Sequence, residues 1–117
     1  MNLLPRADEA IIPVEKFTEY VLNPERSKDK AAAFAKALGY NLSNWQDLIN
    51  NIRVNIVKFS VTAKADLGHG QRYEVIMDLK GPNGKTARVL TAWIDDKQSG
   101  EMRLTNAYVD KRKGRRK

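Results

Sequence analysis

The chain has 117 residues, a net charge of +7 and no cysteine. This length suits one domain with one hydrophobic core, and the lack of cysteine excludes disulfides and thiolate metal sites. With one histidine and no carboxylate cluster at ligand spacing, we expect no metal centre and no cofactor. No apolar run approaches the roughly 20 residues that cross a bilayer, so the sequence predicts a soluble domain without an export signal or a membrane partner.

Most of the positive charge lies at the C-terminal end. Residues 111–117 hold six of the 21 basic residues, which leaves 15 basic against 14 acidic residues, or +1, for positions 1–110. We therefore predict a single domain at 1–110 and a disordered basic tail at 111–117. Such a tail can attract RNA or DNA in a salt-dependent way, or it can serve as a solubilising end or a linker.

The first half of the chain predicts three helices. Apolar residues at three- and four-residue spacing follow Pro13 until Asn23-Pro24 stops the pattern. A second helix is expected after Ser27 as N-cap and before Gly39. A third is expected from Ser43-Asn44-Trp45-Gln46, which has the form of a capping box.

The second half of the chain predicts a four-stranded antiparallel meander. Alternating residues indicate strands near 55–65, 71–80, 86–95 and 101–109. The connections at 66–70, 81–84 and 96–100 contain the glycine, asparagine or aspartate that tight turns require. Helices followed by strands predict an α+β domain, with the helices packed on one face of the sheet.

The pairing of residues between neighbouring strands predicts which side chains share the exposed face of this sheet. If residues 81–84 form the loop, Arg72 lies opposite Trp93 and Glu74 opposite Thr91. A last loop over 96–100 sets Thr91 opposite Thr105 and Trp93 opposite Arg103. The predicted exposed face carries Arg72, Glu74, Thr91, Trp93, Arg103 and Thr105. Arginines bind phosphates and tryptophan stacks on bases, although the same residue types also stabilise a plain solvated sheet face.

The segment Gly68-His69-Gly70 directly precedes the second strand and holds the only histidine. The two glycines permit positive φ and a close approach by a ligand, and an imidazole changes charge near neutral pH. His69 is therefore a candidate acid or base, or else a solvated residue of a hairpin turn.

Short motifs between about Ala10 and Val109 carry a family resemblance. They are Leu22-Asn23-Pro24, Asp29-Lys30-Ala31, Gly70-Gln71-Arg72-Tyr73, Gly81-Pro82-Asn83-Gly84, Thr91-Ala92-Trp93-Ile94 and Arg103-Leu104-Thr105-Asn106-Ala107-Tyr108. The chain resembles a bacterial domain family of uncharacterised function, found alone and at the C-terminal tips of contact-dependent inhibition and haemagglutinin-like toxins. The segment Glu25–Asp29 is shorter than the corresponding linker of that pattern, and the basic tail is not part of it. The order of helices and strands also resembles the barnase, EndoU, colicin and RelE superfamily of ribonucleases.

This resemblance implies a toxin domain that cleaves tRNA or rRNA without a metal ion. It implies delivery from a secreted or cell-surface exoprotein into the cytoplasm of a target bacterium, or a cytoplasmic location if the domain stands alone. RNA and a cognate immunity protein are the implied partners, and a translation factor of the target cell is a further candidate. The alternatives are a non-catalytic RNA- or DNA-binding module and a protein-interaction domain of a toxin–immunity system.

Metal-free RNA cleavage requires a base for the ribose 2′-OH, an acid for the leaving 5′-oxygen and cations around the phosphorane. The predicted catalytic residues are His69 as proton carrier, Arg72 and Lys30 as phosphate-binding cations, Glu74 as an alternative base, and Thr105. The predicted substrate-binding residues are Thr91, Trp93, Arg103, Tyr108, Lys111, Arg112 and Lys113. Lys30 could also be a solvated helix residue, and strict alternation puts Tyr108 on the core face of the sheet.

Overall fold

Three helices precede four antiparallel strands in the computed structural model, which describes residues 2–111 and confirms the predicted α+β class. A 3₁₀ turn at Ala7–Glu9 precedes α1, which spans Val14–Lys16 and continues as a π-helical turn at Phe17–Val21. The second helix, α2, spans Lys28–Leu38. A 3₁₀ turn at Leu42–Asn44 then leads into α3 at Trp45–Asn55. The strands are β1 at Val61–Lys64, β2 at Gly70–Lys80, β3 at Thr86–Asp96 and β4 at Met102–Val109, paired in that order.

The helix boundaries follow local chemistry. Gly39 ends α2 with a φ of 86°, where glycine avoids the strain that a side chain would cause. The capping box of the third helix lies earlier than predicted: Asn41 Oδ1 accepts from the Ser43 amide at 2.8 Å, and Asn44 Oδ1 accepts from the Asn41 amide at 2.7 Å. Asparagine side chains therefore replace the predicted Ser43 cap, because a 3₁₀ turn precedes α3.

The pairing of β2 with β3 differs by one residue from the prediction. Thr86, not Lys85, lies opposite Lys80, because Lys85 belongs to the connecting loop and its carbonyl accepts from the Gly81 amide at 2.9 Å. Since side chains alternate along a strand, this shift of one residue places every side chain of β3 on the face opposite to the predicted one, while the faces of β2 are unchanged.

The predicted exposure of Thr91 and Trp93 is therefore wrong. Their exposed fractions are 0% and 1%, and their strand partners are Val75 and Tyr73. The Trp93 indole N–H donates to Thr91 Oγ1 at 2.8 Å, and that hydroxyl donates to the Val75 carbonyl at 2.8 Å. Both polar side chains are thus satisfied inside the core, as buried polar groups require.

A β-bulge also changes the pairing of β3 with β4. Ala92 lies opposite Asn106 and Trp93 opposite Leu104, which leaves Thr105 as the extra residue. The predicted pairs of Trp93 with Arg103 and of Thr91 with Thr105 do not form, and Arg103 lies opposite Ile94. Bulges of this kind reorient side chains and occur often beside active sites.

The hydrophobic core lies between the helices and one face of the sheet. Its largest fully buried members are Trp93, Tyr40, Phe17, Phe34, Leu22, Leu38, Leu48, Ile52, Ile56, Met77 and Leu79. The opposite face carries Arg72, Glu74 and Ile76 on β2. Between residues 2 and 111, no helix has the length and apolar character needed to cross a bilayer.

Candidate functional site

A cleft of about 570 Å³ opens where the α1 segment faces the ends of β3 and β4. Its polar lining consists of Glu15, Lys16, Tyr20, His69, Asp96, Gln98, Arg103 and Thr105, and its remaining lining consists of Pro13, Ile94 and Leu104. The cleft therefore combines an imidazole, two other basic groups, two hydroxyls and two carboxylates.

The loop that carries His69 is held by a carboxylate. Asp66 Oδ1 accepts from the amides of Gly68 at 2.8 Å and Gly70 at 3.3 Å, and Lys97 Nζ lies 3.7 Å from Asp66 Oδ2. The bond from Gly68 is the main reason why the pKa of Asp66 is lowered, with further lowering by Gly70 and Lys97. These contacts support the loop that places His69 directly before β2.

Backbone contacts join this loop to the β3–β4 turn. The Lys97 amide donates to the His69 carbonyl at 3.1 Å. Gly70 has a φ of 140°, and a Cβ atom at this position would overlap the Asp95 carbonyl oxygen. Glycine is therefore required for the close approach of β2 to β3 that sets the position of His69.

The opposite wall is held against β4 by main-chain hydrogen bonds. The Ile11 amide donates to the Met102 carbonyl at 2.7 Å, and the Leu104 amide donates to the Ile11 carbonyl at 2.9 Å. This pairing positions the helical segment that follows, including Lys16 and Tyr20, beside Arg103 and Thr105. The sequence pattern of the strands contains no signal for this pairing.

Tyr20 lies on the π-helical turn and is 45% exposed. Lys16 Nζ lies 5.9 Å from the centre of its ring, and the Arg26 guanidinium lies 5.5 Å from it. Both distances allow cation–π attraction. The turn therefore gathers positive charge around a tyrosine at the edge of the cleft.

Asp96 and Glu101 lie beside the Arg103 guanidinium. Arg103 Nη1 lies 3.3 Å from Glu101 Oε1. The pKa of Asp96 is lowered chiefly by a hydrogen bond from the Gln98 amide, and further by the Ser99 hydroxyl and by the charge of Arg103. Asp96 thus stays ionised and supports the turn, which makes it a poor proton carrier.

Comparison with known proteins places the chain in a family. Residues 3–111 match the model of a family described as a domain of unknown function, DUF6883. The chain belongs to the DUF6883 family. No curated protein and no solved structure matches it.

Three residues from the predicted site of this DUF6883 domain line the cleft together: His69, Arg103 and Thr105. Thr105 is the residue at the bulge, and its hydroxyl donates to the Ala92 carbonyl at 3.2 Å. Glu15, Lys16 and Tyr20 were not among the predicted site residues, because the helical pattern alone does not show which β-strand the segment meets.

Arg72 and Glu74 lie on the exposed sheet face, as predicted, but neither lines the cleft. Arg72 Nε donates to the Ala65 carbonyl at 2.8 Å, and Glu74 lies 3.9 Å from Lys64 Nζ. Arg103, which lies on the same side of the sheet beyond Ile94, is the strand arginine that reaches the cleft.

Lys30 and Tyr108 lie together in another part of the DUF6883 domain. Lys30 Nζ donates to Asn106 Oδ1 at 2.9 Å and lies 5.8 Å from the centre of the Tyr108 ring. Tyr108 is opposite Leu90 and half-buried, so its predicted place on the core face is wrong, because the bulge reverses the alternation. With Lys111 they line a pocket of about 290 Å³. Arg112, Lys113 and most of the predicted tail lie outside the described residues.

In the described part of the chain, no group of three or more His, Asp or Glu side chains is arranged to hold a metal ion. The predicted lack of a metal centre and of a cofactor stays a prediction.

Proposed function

We propose that this domain is an endoribonuclease that cleaves RNA by transphosphorylation, without a metal ion. The observation that supports it is the lining of the cleft, where His69, Arg103, Lys16 and Glu15 surround one solvent-accessible space. Cleavage next to a ribose 2′-OH requires proton carriers and positive charge at the phosphate. The cleft holds side chains for each of these requirements.

Glu15 and His69 are the proton carriers in this proposal. The 2′-oxygen attacks phosphorus while Glu15 accepts the 2′-OH proton, and the bond from phosphorus to the 5′-oxygen breaks. The imidazolium of His69 donates its proton to the leaving 5′-oxygen. The products are a 2′,3′-cyclic phosphate and a 5′-hydroxyl, so atoms and charge balance. No hydrogen bond joins the His69 side chain to any residue within 2–111, which leaves both ring nitrogens open to a ligand.

Arg103 and Lys16 supply the positive charge at the phosphorane. A guanidinium binds two phosphate oxygens at once, and charge that is in place before reaction stabilises the transition state without reorganisation. Tyr20 and Thr105 are the hydroxyls that orient the substrate. The positive charge that a metal ion would bring is thus present in side chains.

Incubation of the purified domain with single-stranded RNA in the presence of EDTA tests this proposal. We expect products that end in a 2′,3′-cyclic phosphate. His69→Ala should lower kcat by about 10²- to 10⁴-fold, the usual contribution of general acid–base catalysis, with an unchanged melting temperature.

Arg103→Gln and Arg72→Gln form a matched pair for the same assay. Both remove one arginine from the exposed side of the sheet, but only Arg103 lines the cleft. We expect a loss of at least about tenfold in kcat/KM for Arg103→Gln and a loss within about twofold for Arg72→Gln. Equal losses would show that Arg72 contributes as much as Arg103, and would contradict the proposal that the cleft is the site of cleavage.

RNA that stays intact with the wild-type domain, with and without EDTA, would contradict the enzyme proposal. Salt-dependent RNA binding under those conditions would favour a non-catalytic binding module. Failure to bind RNA would leave the protein-interaction domain as the better interpretation.

We also propose, from the resemblance of its motifs to toxin tips, that the ribonuclease acts as a toxin. Induced expression in a bacterium should arrest growth, and His69→Ala should abolish the arrest. Co-expression of a small acidic protein encoded directly downstream should restore growth, because immunity proteins complement basic nucleases by charge. Cleavage of tRNA or rRNA in a cell extract but not as purified RNA would indicate that a translation factor is required.

A further inference from the structure

We infer that the groove between α2 and β4 binds the single-stranded RNA that extends out of the cleft, an inference that rests on the proposed function. Four lysines border this groove: Lys30, Lys36, Lys85 and Lys111. They come from α2, from the β2–β3 loop and from the residues that follow β4.

The groove consists of two adjoining pockets of about 290 and 510 Å³. Both are lined by Ala33, Val109 and Lys111, which makes them continuous. Ala37, Thr86 and Ala87 line the larger pocket between its lysines, and Asp29 and Tyr108 line the smaller pocket beside Lys30. In the larger pocket, only small side chains lie between the lysines along the path of a bound polymer.

These lysines form no ion pair with another described residue, although Asp29 lines the smaller pocket together with Lys30. In the region from residue 2 to 111, none of the four lies within ion-pair distance of a carboxylate, whereas Lys64 and Lys97 pair with Glu74 and Asp66. Lys30 is half-buried, and its partners are the neutral Asn106 amide and the Tyr108 ring. An ammonium group has three N–H donors, so Lys30 can also bind an anionic oxygen.

Strand β4 connects the cleft with the groove. Thr105 lines the cleft, the next residue, Asn106, accepts from Lys30, and Tyr108 lines the groove. A strand rises about 3.3 Å per residue, so an RNA cut beside Thr105 reaches Lys30 within a few nucleotides. Phosphates beside lysines and a base against an aromatic ring are typical of single-strand binding.

A matched pair of triple variants tests this inference. The groove variant is K36Q/K85Q/K111Q, and the control is K28Q/K58Q/K80Q, which removes the same charge from lysines outside the groove; all six side chains are exposed. The probe is a fluorescent 20-nucleotide RNA with 2′-O-methyl groups, which lacks the nucleophile and cannot be cleaved. Binding is measured by anisotropy over a range of salt concentrations.

We expect the groove variant to bind this RNA at least about tenfold more weakly than wild type, and the control within about twofold. The slope of log K against log salt should fall in magnitude by about 2 for the groove variant, since each phosphate contact on a single strand contributes about 0.7. Equal weakening in both triples would overturn the inference, because it would reflect net charge alone. Weaker binding of poly-glutamate with unchanged binding of RNA would also overturn it, in favour of an acidic protein partner.

A dinucleotide substrate separates this inference from the proposed ribonuclease activity. Since a dinucleotide does not reach the groove, the groove variant should cleave it at the wild-type rate while its KM for long RNA rises. Loss of dinucleotide cleavage in the groove variant would overturn the separation of groove from cleft. If wild type cleaves neither substrate, the ribonuclease proposal fails, and the 2′-O-methyl RNA measurement still decides the groove.

Discussion

The core around Trp93 and the cleft around His69 use their polar groups in opposite ways. The Trp93 indole and the Thr91 hydroxyl are both bound inside the protein. The polar side-chain groups of His69, Glu15 and Tyr20 make no hydrogen bond with any residue from 2 to 111, although two cations lie near the Tyr20 ring. The comparison indicates that the covered face supplies stability and that the cleft is available to a ligand.

Trp93→Ala should have the largest effect on folding. Trp93 is 1% exposed and lies at the centre of the sheet. Replacement of a buried tryptophan by alanine costs about 3–5 kcal/mol, a large part of the stability of a small domain. Urea denaturation followed by circular dichroism measures this loss. A midpoint close to that of wild type would contradict the buried position of Trp93.

Thr91→Val and Thr105→Val make the same change in the two regions. At position 91 the substitution leaves the buried Trp93 N–H without its acceptor, which should cost about 1–3 kcal/mol. At position 105 the side chain is exposed, so the free energy of unfolding should change by less than about 0.5 kcal/mol. Only the second variant should weaken RNA cleavage without loss of stability. Equal destabilisation by both would remove the distinction between the two regions.

The Asp66 carboxyl should make the stability of the His69 loop pH-dependent. Its pKa lies below the ordinary value of 3.8, chiefly because of the hydrogen bond from the Gly68 amide. A carboxyl whose pKa is lower in the folded state stabilises the fold above its unfolded pKa, and this stabilisation is lost as the pH falls through the folded pKa. Asp66→Ala should therefore be less stable than wild type near neutral pH and equally stable in strongly acidic solution. Thermal melts across this range measure the difference.

Asp78→Ala is the matched control for this experiment. Asp78 is an exposed aspartate on β2 whose side chain makes no hydrogen bond or ion pair with residues 2–111. Its replacement should shift the melting temperature little at any pH. A difference between wild type and Asp66→Ala that persists in acid would indicate a cause other than the carboxylate.

The class of fold and most helix and strand positions could be predicted from the sequence, because periodicity, capping residues and turn residues are local signals. Gly39 and the loop at 81–84 are examples. Register was not predictable in the same way, since it depends on whether Lys85 belongs to the loop or to the strand. In addition, Leu90, Ala92 and Ile94 on β3 are all apolar, whereas Thr91 is polar. The alternation along β3 therefore agreed with a prediction that placed Thr91 and Trp93 on the exposed face, although they are buried. In the folded protein, the hydrogen bonds that link Trp93, Thr91 and Val75 make it possible to bury the polar groups of Thr91 and Trp93. These bonds depend on strand pairing and cannot be recognised in the sequence.

The candidate site was predictable only in part. His69 stands out because it is the only histidine and lies between glycines, and Arg103 and Thr105 belong to a recognisable motif. Lys16 and Tyr20 reach the cleft because Ile11 pairs with β4 over a separation of about ninety residues. The bulge that makes Thr105 the extra residue is likewise a property of the paired strands.

The hydrogen bond from Lys97 to the His69 carbonyl has a mechanical consequence. Together with the ion pair from Lys97 to Asp66, it fastens the tips of two hairpins into one rim. A load on the His69 loop is therefore shared by both hairpins, because neither tip can move away from the other without breaking the contacts that Lys97 makes.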